Sequence, residues 1–149
     1  MRLVIQRVSR ASVKIGDTTK ASIGKGLLVL LGVDQDDGTE DLETAVRKTA
    51  GMRLFDDEDG IMNLSVQDVE GDVLVISQFT LLASCKKGNR PSYIRAAGHE
   101  TAIPLYEEFC KRLSESIGKA VGTGEFGADM KIDLCNDGPV TIFLDTHNL

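Results

Sequence analysis

Apolar and polar residues alternate from the start of the chain. Between Arg2 and Val8, Leu3, Ile5 and Arg7 fall on one side and Val4, Gln6 and Val8 on the other, which is the period of a strand. A second alternation, Ala11 to Ile15, stops at the turn dipeptide Gly16-Asp17. A short strand over Lys20 to Ile23 follows, then Gly24-Lys25-Gly26. Leu27 to Val33 (LLVLLGV) is apolar throughout, as expected of a strand covered on both faces. The period then changes. Leu42, Ala45, Val46 and Thr49 recur at helical spacing, predicting a helix to about Ala50 with Thr39 as its cap. Arg53 to Phe55 and Ile61 to Val66 read as short strands around an acidic turn, Asp56 to Gly60. Val73 to Ile76 is another buried strand, running into Ser77-Gln78-Phe79-Thr80-Leu81-Leu82. A polar, basic loop spans 83–98. Ala102, Leu105, Tyr106, Phe109, Leu113 and Ile117 mark one face of a helix from about Glu100 to Ile117, ended by Gly118. Lys131 to Cys135 and Val140 to Asp145 are the final strands. Mixed strands and two main helices, with no repeat or linker over residues 1–149, predict a single α+β domain.

The net charge of −6 argues against a broad nucleic-acid footprint, so any RNA contact must be local. Scarce aromatics and the absence of Trp argue against a row of base-stacking rings. Cys85, Cys110 and Cys135 form no CxxC pair, which supports neither a zinc site nor a redox motif. Reduced thiols, no signal peptide and no membrane-length apolar stretch predict a cytoplasmic protein with no membrane association.

Several motifs fail on context. Gly122 to Gly127 spells GxGxxG, but a helix precedes it and a strand pattern follows, the reverse of a dinucleotide site. The acidic turn cannot be a calcium loop, because setting Gly60 at the sixth position puts Phe55 at the first. The two histidines, His99 and His147, sit beside no hydroxyl in sequence, so nothing favours a Ser-His-Asp triad. Neither a metal nor a cofactor is expected.

Two segments stand out. Ser77-Gln78-Phe79-Thr80 interrupts an apolar strand with polar residues, and buried polar groups are costly unless partnered. Such an interruption is either a structural bulge or a site at a strand end. Gly138-Pro139 opens the last strand, where a residue without an N–H belongs. Taken alone, a plain trans turn accounts for that dipeptide.

Together these segments resemble the D-aminoacyl-tRNA deacylase family. SQFTL stands at Ser77 to Leu81, and NxGPVT at Asn136 to Thr141. QRV at Gln6 to Val8, MNLSV at Met62 to Val66, KGNRPS at Lys87 to Ser92 and FGA at Phe126 to Ala128 extend the likeness along essentially the whole chain. The resemblance implies a compact α+β fold with a barrel-like sheet core, packed as a homodimer with active sites at the interface. It implies that Ser77, Gln78, Phe79 and Thr80 form the catalytic segment, and that a cis Gly138-Pro139 reaches into the partner's pocket. Arg7, which would brace the Gly-Pro loop, and Met130 are grouped with this substrate-binding and chiral-selection set. The substrate would be the acceptor end of tRNA carrying a D-amino acid or glycine, with no DNA partner.

A proofreader for handedness must tolerate any side chain. Paired carbonyls of Gly138 and Pro139 would hold the ammonium and clash with an L-substituent, which is discrimination by exclusion. Backbone N–H groups near Phe79 and Thr80 would stabilise the oxyanion, at about 3 kcal/mol per donor. No base is evident to activate Thr80, so water is the favoured nucleophile, assisted by the terminal ribose 2′-hydroxyl. Lys86, Lys87 and Arg90 follow the catalytic segment and would meet phosphates. Two other readings remain open: a hydrolase of free D-amino-acid esters or peptides, and a non-enzymatic RNA- or nucleotide-binding dimer.

Overall fold

The computed structural model describes residues 1–149. Its elements are β1 (Arg2–Ile15), β2 (Thr18–Ile23), β3 (Gly26–Gly32), α1 (Thr39–Gly51), β4 (Phe55–Asp56), β5 (Met62–Leu64), β6 (Asp72–Ser77), a 3₁₀ turn (Phe79–Leu82), α2 (His99–Ile117), β7 (Gly122–Thr123) and β8 (Lys131–Asp145). One sheet runs β2-β1-β3-β6-β7, with β8 added beside β1. The antiparallel part is built on β1, which meets β8 along one side and first β3, then β2, along the other. β3, β6 and β7 are parallel, joined by crossovers that contain α1 and α2. The sheet curls until β2 lies against β6 and β7, so that the Gly122 backbone faces Ala21 and Ile23. The result is nearly closed and barrel-like.

The all-apolar β3 has a simple cause. Leu27, Val29 and Leu31 face the helices, packing with Leu42, Ala45 and Val46 of α1 and with Phe109 and Leu113 of α2. Leu28 points the other way, into a second cluster with Val8, Val13, Leu74 and Ile76. A strand buried on both faces needs apolar residues at every position. Alternation survives only in strands with a wet face, such as β8.

Four expectations change. The two predicted N-terminal strands are one, because β1 changes partner from β3 to β2 without breaking. The N-cap of α1 is Gly38, whose N–H donates to Asp41 Oδ2 at 3.1 Å, and Thr39 is already helical. The segment after Ser77 does not resume as a strand but turns as a 3₁₀ helix. The two final strands are one strand with a large bulge. Val8 pairs with Asn136 and Gln6 with Thr141, so 137–140 have no partner on β1. Asn136 ties the bulge together, its Oδ1 accepting from the Val140 N–H at 2.8 Å and its Nδ2 donating to Thr141 Oγ1 at 2.9 Å.

Thr49 on α1 is fully buried, and its hydroxyl has no hydrogen-bond partner. A buried, unpaired hydroxyl costs about 1–3 kcal/mol, and a methyl of the same shape removes that cost. Thr49→Val is therefore expected to stabilise the protein by about 1 kcal/mol, read as a higher urea midpoint at unchanged slope. A lower midpoint would show that the hydroxyl is bonded in solution.

Candidate active site

β6 ends at Ser77, and the chain turns at once. Gln78 still donates its backbone N–H to the Leu31 carbonyl at 2.8 Å, which fixes the turn to the end of β3. A 3₁₀ turn leaves its first amides without acceptors inside the turn, and here these belong to Phe79 and Thr80. Leu81 and Ala83 donate to the Gln78 and Thr80 carbonyls and complete the turn. Gly32 makes this packing possible. A Cβ there would lie 2.6 Å from Leu82 Cδ2 and 2.8 Å from the Gln78 carbonyl oxygen.

Ser77, Gln78 and Phe79 line a cavity of about 640 Å³ together with Met130, which arrives from the segment before β8. Ala96, Ala97, Phe126 and Ile132 give it a mostly apolar wall. Thr80 is not part of the lining, but its Oγ1 accepts from Gln78 Nε2 at 2.6 Å. Thr80 is thus held by an amide that cannot take its proton. A larger depression of about 740 Å³, beside α1 and α2, is open and lined mostly by polar and charged residues, and it contains none of the predicted site residues.

Two lining residues lacked a sequence signal for this position. His99, the first residue of α2, reaches the cavity, where its ring packs edge-on against Phe126 with centroids 5.4 Å apart. It makes no hydrogen bond to Ser77 or Thr80, so no triad forms. The Tyr106 hydroxyl donates to the Val75 carbonyl at 2.9 Å. Burial above all pushes its pKa upward, so it stays protonated and serves as no base. The neighbouring Cys110 thiol is pushed up to about 11, chiefly by burial, and is unsuited as a nucleophile. His147 lies elsewhere, with Nε2 2.8 Å from Asp37 Oδ1 and 3.2 Å from Asp41 Oδ1. The ligand atoms of this trio lie within 4.8 Å of one another, but the Met1 ammonium already donates to Asp37 Oδ1 at 2.6 Å.

The Gly-Pro segment is separate from the cavity within one chain. Gly138 and Pro139 are exposed on the β8 bulge, and the peptide bond between them is cis. Gly138 has φ 142°, a value open to glycine and strained for other residues. Arg7 holds the bulge from β1: its Nε donates to the Asp137 carbonyl at 2.9 Å and its NH1 to the Leu54 carbonyl at 2.8 Å. The Arg7 side chain is only 11% exposed. Lys86, Lys87 and Arg90 all lie exposed in the loop after the 3₁₀ turn. The structure therefore gathers Ser77, Gln78, Phe79, Thr80 and Met130 at one place, Arg7, Gly138 and Pro139 at a second, and the three cations at a third.

The family model described as D-Tyr-tRNA(Tyr) deacylase matches residues 4–145. The D-aminoacyl-tRNA deacylase of Bacteroides thetaiotaomicron is 60% identical over 148 residues, covering 99% of each chain. That of Flavobacterium johnsoniae is 57% identical with the same coverage. Among solved structures, one titled "c-Myc DNA Unwinding Element Binding Protein" superposes with a TM-score of 0.92 at 41% identity, covering 97% of this chain and 98% of that one. A structure titled as a "probable eukaryotic D-amino acid tRNA deacylase" matches with a TM-score of 0.83 at 19% identity, over 96% and 97% of the two chains, and shares the fold.

Proposed function

The chain belongs to the D-Tyr-tRNA(Tyr) deacylase family, and from that membership and the geometry of the site we propose that it hydrolyses the ester bond of D-aminoacyl-tRNA. It is a carboxylic ester hydrolase, with residues 1–149 acting as one catalytic domain. The observation that carries this reading is the 3₁₀ turn at the cavity wall, whose Phe79 and Thr80 amides have no acceptor inside the turn. Donors fixed in advance by the fold suit an oxyanion, because they need no reorganisation when the charge develops.

The apolar part of the cavity, with Phe126 and Met130, takes the terminal nucleoside. The ester carbonyl lies against the turn. Water attacks it, with the ribose 2′-hydroxyl assisting, and the Phe79 and Thr80 amides hold the resulting oxyanion. The bond to the ribose oxygen breaks, releasing the D-amino acid and tRNA. Ser77 shapes the turn, and Gln78 orients Thr80. Thr80→Ala is expected to keep kcat within about tenfold of the parent, measured on a D-aminoacyl-tRNA. Loss of all turnover in a folded variant would make Thr80 the nucleophile instead.

Chirality is read in a homodimer. β8 is a long edge strand that pairs only with β1, and its outer face carries Pro139 and the 60% exposed Phe143. Exposed edges of this kind invite pairing with a second chain. The partner's Gly-Pro carbonyls then enter the cavity, bind the ammonium and exclude an L-substituent. Glycine has no such substituent, so glycyl-tRNA, including glycine mischarged on tRNA(Ala), is expected to be cleaved while an L-alanyl ester survives. Equal resistance of the two esters would overturn the steric account. No helix is long and apolar enough to cross a membrane, and the enzyme acts in the cytoplasm on the products of aminoacylation.

A further inference from the structure

Tyr93 and Tyr106 are the two tyrosines of the chain, and they have opposite surroundings. Tyr106 is buried and hydrogen-bonded. Tyr93 is 40% exposed, and its ring meets that of Phe79 edge-on, with centroids 5.1 Å apart. Phe79 is itself 54% exposed and forms part of the cavity wall. Neither ring is explained by the core.

The chain around Tyr93 is braced. Ser84 and Ser92 exchange backbone hydrogen bonds of 2.8 Å in both directions, closing the segment between them into a loop. Arg95 anchors its base through Asp34 at 2.6 Å and Asp36 at 2.9 Å. Gly88, with φ 67°, turns the tip. Gly88 is four residue steps beyond Ser84, so the tip lies within about 14 Å of the bridge. Lys86, Lys87 and Arg90 lie in this loop. All three are exposed, and none makes a salt bridge. In a chain of net charge −6, an exposed basic loop that leads directly into an exposed aromatic residue has the chemistry to receive an anionic single strand.

We propose that Tyr93 is the stacking platform for the base next to the terminal nucleotide in the unpaired 3′ end of the RNA, with its phosphates on Lys86, Lys87 and Arg90. The assignment rests on the deacylase reading, which puts the terminal nucleoside in the cavity. The strand leaving the cavity passes Phe79, meets the Tyr93 face next, and then the cationic loop. Only an unpaired base can stack on a protein ring in this way. Stacking also tolerates any base, as an enzyme serving many tRNAs requires.

The test compares a D-aminoacyl ester of adenosine, which has no second nucleotide, with the same ester on tRNA. Tyr93→Ala is expected to lower the preference in kcat/KM for the tRNA ester over the adenosine ester about tenfold, through KM rather than kcat. Tyr93→Phe is expected to keep the preference. An unchanged preference in Tyr93→Ala, with both esters slowed alike, would overturn the proposal and make Tyr93 a prop for Phe79. A parent protein that leaves both esters intact would overturn the deacylase reading, and this proposal with it.

Discussion

Gly32→Ala is expected to reduce kcat/KM for a D-aminoacyl-tRNA by about 100-fold or more, although Gly32 touches no substrate. Loss of one oxyanion donor costs about 10²–10³ in rate, and here both donors lie on one short turn. The new Cβ would stand 2.6 Å from Leu82 Cδ2, 2.8 Å from the Gln78 carbonyl oxygen and 3.1 Å from Leu81 Cβ. Leu82 Cδ2 can rotate away. The Gln78 carbonyl cannot, because it accepts from Leu81 within the turn and Gln78 is itself bonded to Leu31. The turn must shift, and donors displaced by a few tenths of an ångström no longer match a developing charge. A thermal melt separates this effect from unfolding. A variant that is folded, shifted in the melt and fully active would mean that the Phe79 and Thr80 amides are not the oxyanion donors.

Gly138→Ala is expected to reduce turnover of D-esters by about 10²-fold and to narrow the D-over-L preference, because both depend on carbonyl placement in the bulge. The added Cβ would meet Val140 Cγ2 at 2.8 Å, the Val140 nitrogen at 3.0 Å and an Arg7 guanidinium nitrogen at 3.2 Å. The Val140 N–H is already committed to Asn136, and Arg7 is committed to Asp137 and Leu54. Relief therefore pulls apart the contacts that hold the bulge. At φ 142° any L-residue is also strained. The readout is the ratio of D- to L-ester turnover. An unchanged ratio at full activity would remove the Gly-Pro segment from chiral selection.

The legibility of this fold follows from which constraints are local. Helix α2 was readable from Ala102 to Gly118 because its period and its left-handed glycine cap are both properties of a short segment. β3 was readable because a strand covered on both faces must be apolar throughout. The union of two alternating runs into β1 was not readable, because a strand's change of partner leaves no mark on its own residues. The 3₁₀ turn after Ser77 is not legible, since Phe79, Leu81 and Leu82 suit a resumed strand equally well. The room it needs is left by Gly32, far away in sequence.

The site divides along the same line. Ser77 to Thr80 were legible because polar residues conflict with the apolar strand they interrupt, whereas Gly138-Pro139 was legible only through the family resemblance. His99, Phe126 and Tyr93 were not, because each owes its place at or beside the cavity to a crossover or a loop. Asn136 had no sequence signal beyond its place in the NxGPVT run, and only the bulge shows that its side chain ties the segment together.

Incubation of the purified protein with D-tyrosyl-tRNA and L-tyrosyl-tRNA in parallel, following the surviving ester, tests the central claim most directly. Rapid loss of the D-ester with survival of the L-ester is the predicted result. Survival of both, with tight binding of uncharged tRNA, would contradict it and leave an RNA-binding dimer in its place.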